Sequence, residues 1–294
     1  MAQLIWNGLT IGCLYGLVAV GYTMLFGIIQ VIFFAQGELS MLAAFAALLI
    51  LAHLGSPAGT WSVAAWTLCA VCGAMAVSVL AGLLAERVAL RPLKNAPRVK
   101  PLITSLGMSI VFQSSIMLAV GPQVFRFQLP FEIPRWNVLG VHFSLVELLM
   151  IAAAAICVGA IQAFLHWNRY GLAIRAIAQS PTGARLMGIN PDRAIVVTFV
   201  IASLTASIAG LFMASYYGVV RFDMGFVPGI KGFTVAILGG VGNVPGAMVA
   251  GLLIGVAEAL FTGFFSPDYR DLFVFTILIL TLVLRPKGLL GEGS

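Results

Sequence analysis

The sequence predicts an all-α, polytopic membrane protein with a single transmembrane domain over 1–294, and three observations carry that reading. Hydrophobic residues make up 61% of the chain and charged residues only 9%. Uncharged runs extend over 1–37, 39–85, 101–125, 148–168, 194–220 and 232–257, several of them longer than the ~20 residues a helix needs to cross a bilayer core. The strand-length alternation of a membrane barrel is absent, and backbone polar groups in lipid must then be paired within helices. About eight transmembrane helices are expected, together with interrupted or re-entrant half-helices.

Taken from the N-terminus, the first apolar segment has no basic leader and no small-residue cleavage site, so it is expected to stay in the mature chain. As one straight helix, residues 1–37 would run ~55 Å and overshoot the bilayer. A break is therefore expected, either at Gly21 to Gly27 or at Phe34-Ala35-Gln36-Gly37-Glu38. Segment 87–100 holds Arg87, Arg91, Lys94, Arg98 and Lys100 with no acid, which places it in the cytoplasm. Residues 122–143 carry Pro122, Pro130 and Pro134 among alternating Val124, Phe125, Phe127, Leu129, Phe131 and Ile133, the pattern of an extended or hairpin-like external loop. Segment 167–193 holds Arg169, Arg175, Arg185 and Arg193 against Asp192. It reads as a helix-compatible cytoplasmic insert long enough to dock on a soluble partner. Loop 219–231, short and mixed in charge, then faces outward.

If 219–231 is outside and the Arg285-Pro286-Lys287 tail is inside, 232–264 must begin and end on the outer side. Leu238-Gly239-Gly240-Val241-Gly242-Asn243-Val244-Pro245-Gly246 supplies the break, because glycines weaken a helix and Pro245 lacks a donor. A short helix from outside, a turn at membrane depth and a return helix at 246–264 are expected. Interrupted segments in both halves point to an inverted-repeat architecture with a pathway between them.

The candidate pathway residues are Phe34, Gln36, Gly37 and Glu38 at the first break and Gly239, Gly240, Gly242, Asn243 and Pro245 at the second, with Glu258 as the other intramembrane acid. A carboxylate in an apolar run needs a polar cavity or a buried donor. Glu38 equally suits a helix N-terminus, and Glu258 equally suits a polar contact between helices. Glu147 and His142 sit near an outer boundary, where water solvates them. Gly12 with Gly16, Gly242 with Gly246, and Ala202, Ala206, Ala209 and Gly210 are spaced for close helix packing. Cys13, Cys69, Cys72 and Cys157 lie in apolar runs and read as small buried hydrophobes, not metal ligands. No cofactor is expected. The net charge of +6 comes from residues beside membrane spans, which argues for orientation and lipid contact, not nucleic acid. No phosphate loop, H-E-x-x-H or G-x-S-x-G occurs, so no catalytic set is legible and the chain is not read as an enzyme.

Over nearly its whole length the chain resembles the permease subunits of ABC importers for branched-chain amino acids. The resemblance rests on Gly16 to Met24, Phe34-Ala35-Gln36-Gly37-Glu38-Leu39-Ser40-Met41, Gly171-Leu172 through Arg175-Ala176, Gly188-Ile189-Asn190 and Leu238 to Ala247. It implies a bacterial inner-membrane subunit working with a second permease (a paralogue or a copy of itself), two ATP-binding subunits and an external solute-binding protein. ATP hydrolysis falls to the partners. It also implies ATPase coupling through Arg169, Gly171, Arg175, Gly183, Arg185, Gly188 and Asn190, although Gln179-Ser180-Pro181 lacks the acid common in such loops. Membrane-surface anchoring would account for the same arginines. Urea, short amides or aromatic acids are alternative cargoes within the family, and a self-sufficient channel or secondary transporter is the alternative outside it.

Overall fold

The computed structural model describes residues 1–54, 60–93, 96–97, 99–129, 134–138, 141–284 and 288–290. Lys94, Arg98, Pro130, Phe131, Ile133 and the Arg285-Pro286-Lys287 tail lie outside the described residues. Among the described residues, seven helices are long and apolar enough to cross a membrane. They are α1 (Ala2–Ile29), α2 (Gln36–Leu54), α3 (Thr60–Ala85), α4 (Val99–Val120), α5 (Leu145–Trp167), α8 (Pro191–Tyr217) and α10 (Val244–Phe264). Two short helices, α6 (Arg169–Gln179) and α7 (Pro181–Leu186), fill the basic insert. A shorter apolar helix α9 (Phe226–Gly239) precedes α10, and α11 (Arg270–Leu284) follows it. A π-helical turn at Glu86–Leu90 and a 3-10 turn at Arg91–Leu93 close α3.

α1 runs through the centre, unbroken past Gly21 and Gly27, so only the second of the two expected break points is used. Its glycines set an antiparallel seam with α10. A Cβ on Gly12 would come within 2.8 Å of Leu252 Cα, and one on Gly251 within 2.6 Å of Gly16 Cα. No side chain fits there, and the two backbones gain close dispersion contact in place of a hydrophobic driving force that lipid does not supply. The expectation from Gly12 and Gly16 holds, with Gly251 and Gly255 as the facing pair.

The molecule has two distinguishable ends. At one, the segment 86–101 shares a cavity wall with Ile29, Gln30 and Ile195, and Ile174 and Ile177 of α6 join Ile28 and Leu238 in one apolar cluster. Arg87, Arg91, Lys100, Arg169, Arg175, Arg185 and Arg193 belong to this basic end. At the other end, β2 (Arg135–Val138) pairs antiparallel with β3 (Val141–Ser144), the hairpin expected of the 122–143 loop. A second small pairing joins β1 (Phe125–Arg126) to β4 (Val219–Val220). The N-terminus lies at this hairpin end, where Gln3 Nε2 donates to His142 O and Trp6 Nε1 to Glu147. Glu147 is thus a hydrogen-bond acceptor for the indole as well as a boundary residue.

Two expectations change. Cys69 and Cys72 are exposed on α3, whereas Cys13 is buried. α3 is apolar all round, so periodicity could not reveal which face packs inward. Lys231, assigned to a loop by its charge, lies in α9 and is fully buried.

Candidate functional site

The two chain breaks meet at the centre of the bundle. After α1, Gln30 adopts a left-handed conformation (φ 55°) and accepts the helix-end role by donating its N–H to Phe26 O. The chain then passes through a bend and a turn from the basic end to Gln36, where α2 begins beside Gly21, Ala202 and Thr205. From the opposite direction, the segment after α8 pairs at Val219–Val220 and then reaches Gly225, where α9 begins. The starts of α2 and α9 are in backbone contact. A Cβ on Gly37 would stand 2.7 Å from Gly229 Cα, and one on Gly225 would stand 2.5 Å from Gly37 O and 2.9 Å from Glu38 Oε2. Glycine is required here by close approach, and the N-terminal ends of two helices meet at one place.

Polar side chains at this junction are buried and incompletely paired. Gln36 Nε2 donates to Ala202 O at 2.8 Å, while its Oε1 has no partner. Glu38 Oε1 accepts from Ser109 Oγ and Gln113 Nε2, each at 3.2 Å, while Oε2 has none. Ser105 on the same face of α4 accepts from Phe34 N–H and lies 3.1 Å from Ile32 O. Thus Ser105, Ser109 and Gln113, spaced i, i+4, i+8, form a polar stripe that clamps α4 to the break. Phe34 contacts Phe233 with ring centroids 6.1 Å apart, and Tyr22 donates its hydroxyl to Phe34 O at 3.4 Å. Beside these rings lies a cavity of about 420 Å³ walled by Tyr22, Phe26, Ile32, Phe233, Ile237 and Val241. The four residues expected at the first break are therefore together, and Tyr22, Ser109, Gln113, Gly225 and Phe233 complete their surroundings. The sequence carried a signal for the α4 residues in their helical spacing, but none for Gly225 among so many glycines.

The second break has the expected form of short helix, turn and return helix. Gly240 (φ 98°) and Gly242 (φ 88°) make the reversal, Asn243 caps α10 by accepting from Gly246 N–H at 2.9 Å, and Pro245 sits in the first turn of α10. A Cβ on Gly239 would stand 2.5 Å from Ala247 N, so α9 and α10 lie flat together. The turn lies toward the basic end of the bundle. Gly242 lies beside Gly27 near the end of α1, and the tail docks on it through Leu289 N–H to Leu238 O at 2.7 Å and Asn243 Nδ2 to Leu290 O at 2.8 Å. The contact with α2 is made instead at the start of α9, which the sequence reading had placed within loop 219–231. Of the predicted turn residues none joins Glu38; their neighbour Val241 reaches the aromatic-walled cavity.

Glu258 belongs to a separate group. Its Oε1 is 2.9 Å from Lys231 Nζ and 2.9 Å from Arg270 Nε, and it accepts from Tyr15 OH at 3.2 Å. Lys231 Nζ also lies 2.7 Å from Asp271 Oδ1. Two cations and two anions thus tie α9, α10 and α11 together around the Tyr15 ring of α1, in the only form in which such charges are tolerated away from water.

At the basic end, α6 and α7 form a small projecting unit. Asn168, Ser180 and Asn190 cap α6, α7 and α8 through their side chains. Ser180 does this by accepting from Gly183 N–H at 3.1 Å. Gly171 lets α6 fold back on α5, since a Cβ there would stand 2.5 Å from Leu165 Cα. Ile174 and Ile177 are buried; Arg175 is half-buried, and Arg169, Arg185 and Asn190 are exposed. Gly188 turns the chain with φ 79°. Leu186 and Met187 are 84% and 82% exposed, an apolar tip between Arg185 and Gly188 that the sequence reading missed. Its signal is the phase: both fall off the face that buries Ile177 and Ala184.

Residues 4–282 match the family described as branched-chain amino acid transport system / permease component. The chain belongs to this family. It is accordingly a permease component and a multi-pass membrane protein. Among its relatives, the high-affinity branched-chain amino acid transport system permease protein LivH of Escherichia coli K12 is 38% identical over 299 residues, covering 99% of this chain and 95% of that protein. The corresponding permease protein BraD of Pseudomonas aeruginosa is 40% identical over 297 residues with the same coverage. A probable branched-chain amino acid transport permease of Methanocaldococcus jannaschii is 25% identical over 292 residues.

Proposed function

We propose that the chain is the membrane-spanning subunit of an importer that carries branched-chain amino acids across the plasma membrane (the inner membrane of a two-membrane bacterium), driven by ATPases on separate chains. The observation that carries this reading is the full-length match to permease components, over 4–282. In this reading the basic end faces the cytoplasm, as the positive-inside rule requires, and the hairpin end faces an external solute-binding protein. Two ATP-binding subunits engage α6 and α7, with Arg185, Leu186 and Met187 as the contact tip. A second permease, a paralogue or another copy, completes the pathway.

The mechanism is alternating access. Closure of the ATPases displaces α6, which is packed on α5, α8 and α1, and so moves the ends of those helices. The Gly37–Gly225 contact is where the moving halves meet, and Glu38 with Gln36 supplies polar atoms along a path walled by aromatic and aliphatic groups. No covalent chemistry takes place on this chain, and release stays fast because the walls offer few strong contacts. Reconstitution tests this: leucine uptake into proteoliposomes is expected only with binding protein, ATPases and ATP all present. Uptake driven by the chain without ATPases would overturn the reading in favour of a secondary transporter.

A further inference from the structure

We infer that the cavity beside the Lys231–Glu258 cluster, opening toward the hairpin end, is a capture site for a zwitterionic amino acid with an apolar side chain. The inference rests on the reading of the chain as an amino-acid permease and adds where the cargo is first held. The cavity encloses about 380 Å³ between α1, α8, α9 and α11, room for one such molecule. Arg270 and Asp271 line one wall, the mutually paired Arg221 and Asp223 line another, and Tyr15, Met213, Val227 and Pro228 line the rest.

Three features of this wall select the ligand. First, charge sits where lipid would penalise it. The side chains of Arg270 and Asp271 are 38% and 49% exposed at the start of a helix of apolar sequence, so this face meets water or a polar occupant. Second, the ionic cluster is internally balanced, two cations against two anions. A net cation or anion would unbalance it, whereas a zwitterion would not. Third, two opposite charges face the cavity side by side. Arg270, anchored through Nε to Glu258 behind the wall, and Asp271 both line it. A guanidinium edge for a carboxylate, a carboxylate for an ammonium and an apolar patch for an aliphatic side chain occur together in one cavity.

The test uses the assembled transporter in nanodiscs without its external binding protein, probed by saturation-transfer NMR. The probes are L-leucine, isopentylamine (lacking the carboxylate) and 4-methylpentanoate (lacking the ammonium). Leucine is expected to bind and the two single-charge analogues to fail. Arg270→Gln should weaken leucine binding about tenfold, the loss of one charge-assisted pair. Val227→Trp, which fills the cavity from α9 without removing a charge, should abolish it, with ATPase copurification unchanged for both variants. Absence of a leucine signal in the wild type, equal binding of the analogues, or unchanged binding in Val227→Trp overturns the site. So does an Arg270→Gln protein that binds leucine normally but no longer captures the binding protein, since that marks a docking surface. Leucine uptake by the same wild-type complex, reconstituted into proteoliposomes with its binding protein and ATP, keeps the two claims apart. Uptake without a cavity signal removes only the site, and failure to transport any branched-chain amino acid removes the permease reading beneath it.

Discussion

Glu38 and Glu258 are both almost fully buried, 1% and 2% exposed, yet their surroundings are opposites. Glu258 is gripped by Lys231, Arg270 and Tyr15. Glu38 has two neutral donors, Ser109 and Gln113, and one oxygen without a partner. The same residue type therefore serves as a rivet in one place and as an underpaired group at a helix junction in the other. Burial alone does not distinguish structure from function; the charge and completeness of the partners do.

The largest expected effect breaks the rivet. Lys231→Met leaves Glu258 without one of its two cations, and Glu258→Ala leaves Lys231 with Asp271 alone; each should destabilise the protein by about 3–5 kcal/mol. Loss of monodisperse protein in fluorescence-detected size exclusion checks this. The double variant Lys231→Met with Glu258→Met should recover much of the folded protein, since an apolar replacement of a buried pair is often neutral. Normal folding of both single variants would erase the contrast with Glu38.

Next comes the junction. Glu38→Ala should cut leucine uptake at least severalfold while membrane levels fall much less. Glu38→Gln, which keeps the hydrogen-bonding shape, separates charge from shape: uptake near the wild-type rate means shape suffices. Gly225→Ala should also impair uptake, because its Cβ would meet Gly37 O and Glu38 Oε2. Unchanged uptake in Glu38→Ala at normal abundance would make Glu38 as structural as Glu258. The smallest effect lies outside both sites: Asn190→Ala removes the cap on α8 and should lower stability by about 1 kcal/mol, read as a modest drop in melting temperature.

The membrane class, the basic end and the hairpin loop were legible because length, hydropathy and Arg/Lys placement act one segment at a time. The first break was legible too, since an uncharged run of 37 residues exceeds what a bilayer accommodates. The reversal at Gly240 to Asn243 was legible from its glycines, but α9 was taken to begin too late, because reading a lysine as a loop charge assumes it is solvated. Lys231 is paired instead, with acids 27 and 40 residues further on, and no local pattern reveals such partners. Glu38's polar stripe and the Gly37–Gly225 contact likewise depend on which helices become neighbours. Leu186 and Met187 were overlooked because two more apolar residues do not stand out in a chain that is 61% hydrophobic; only the fold shows that they point away from it.

The central claim, that movement enters this chain through α6 and α7 from partner ATPases, is tested most directly by Arg185→Glu combined with Leu186→Asp in the reconstituted transporter. Both side chains are exposed, so the permease should fold and reach the membrane normally. The expected result is loss of ATPase copurification together with loss of ATP-dependent leucine uptake. A doubly substituted permease that still copurifies with its ATPases and transports leucine at the wild-type rate would contradict the claim.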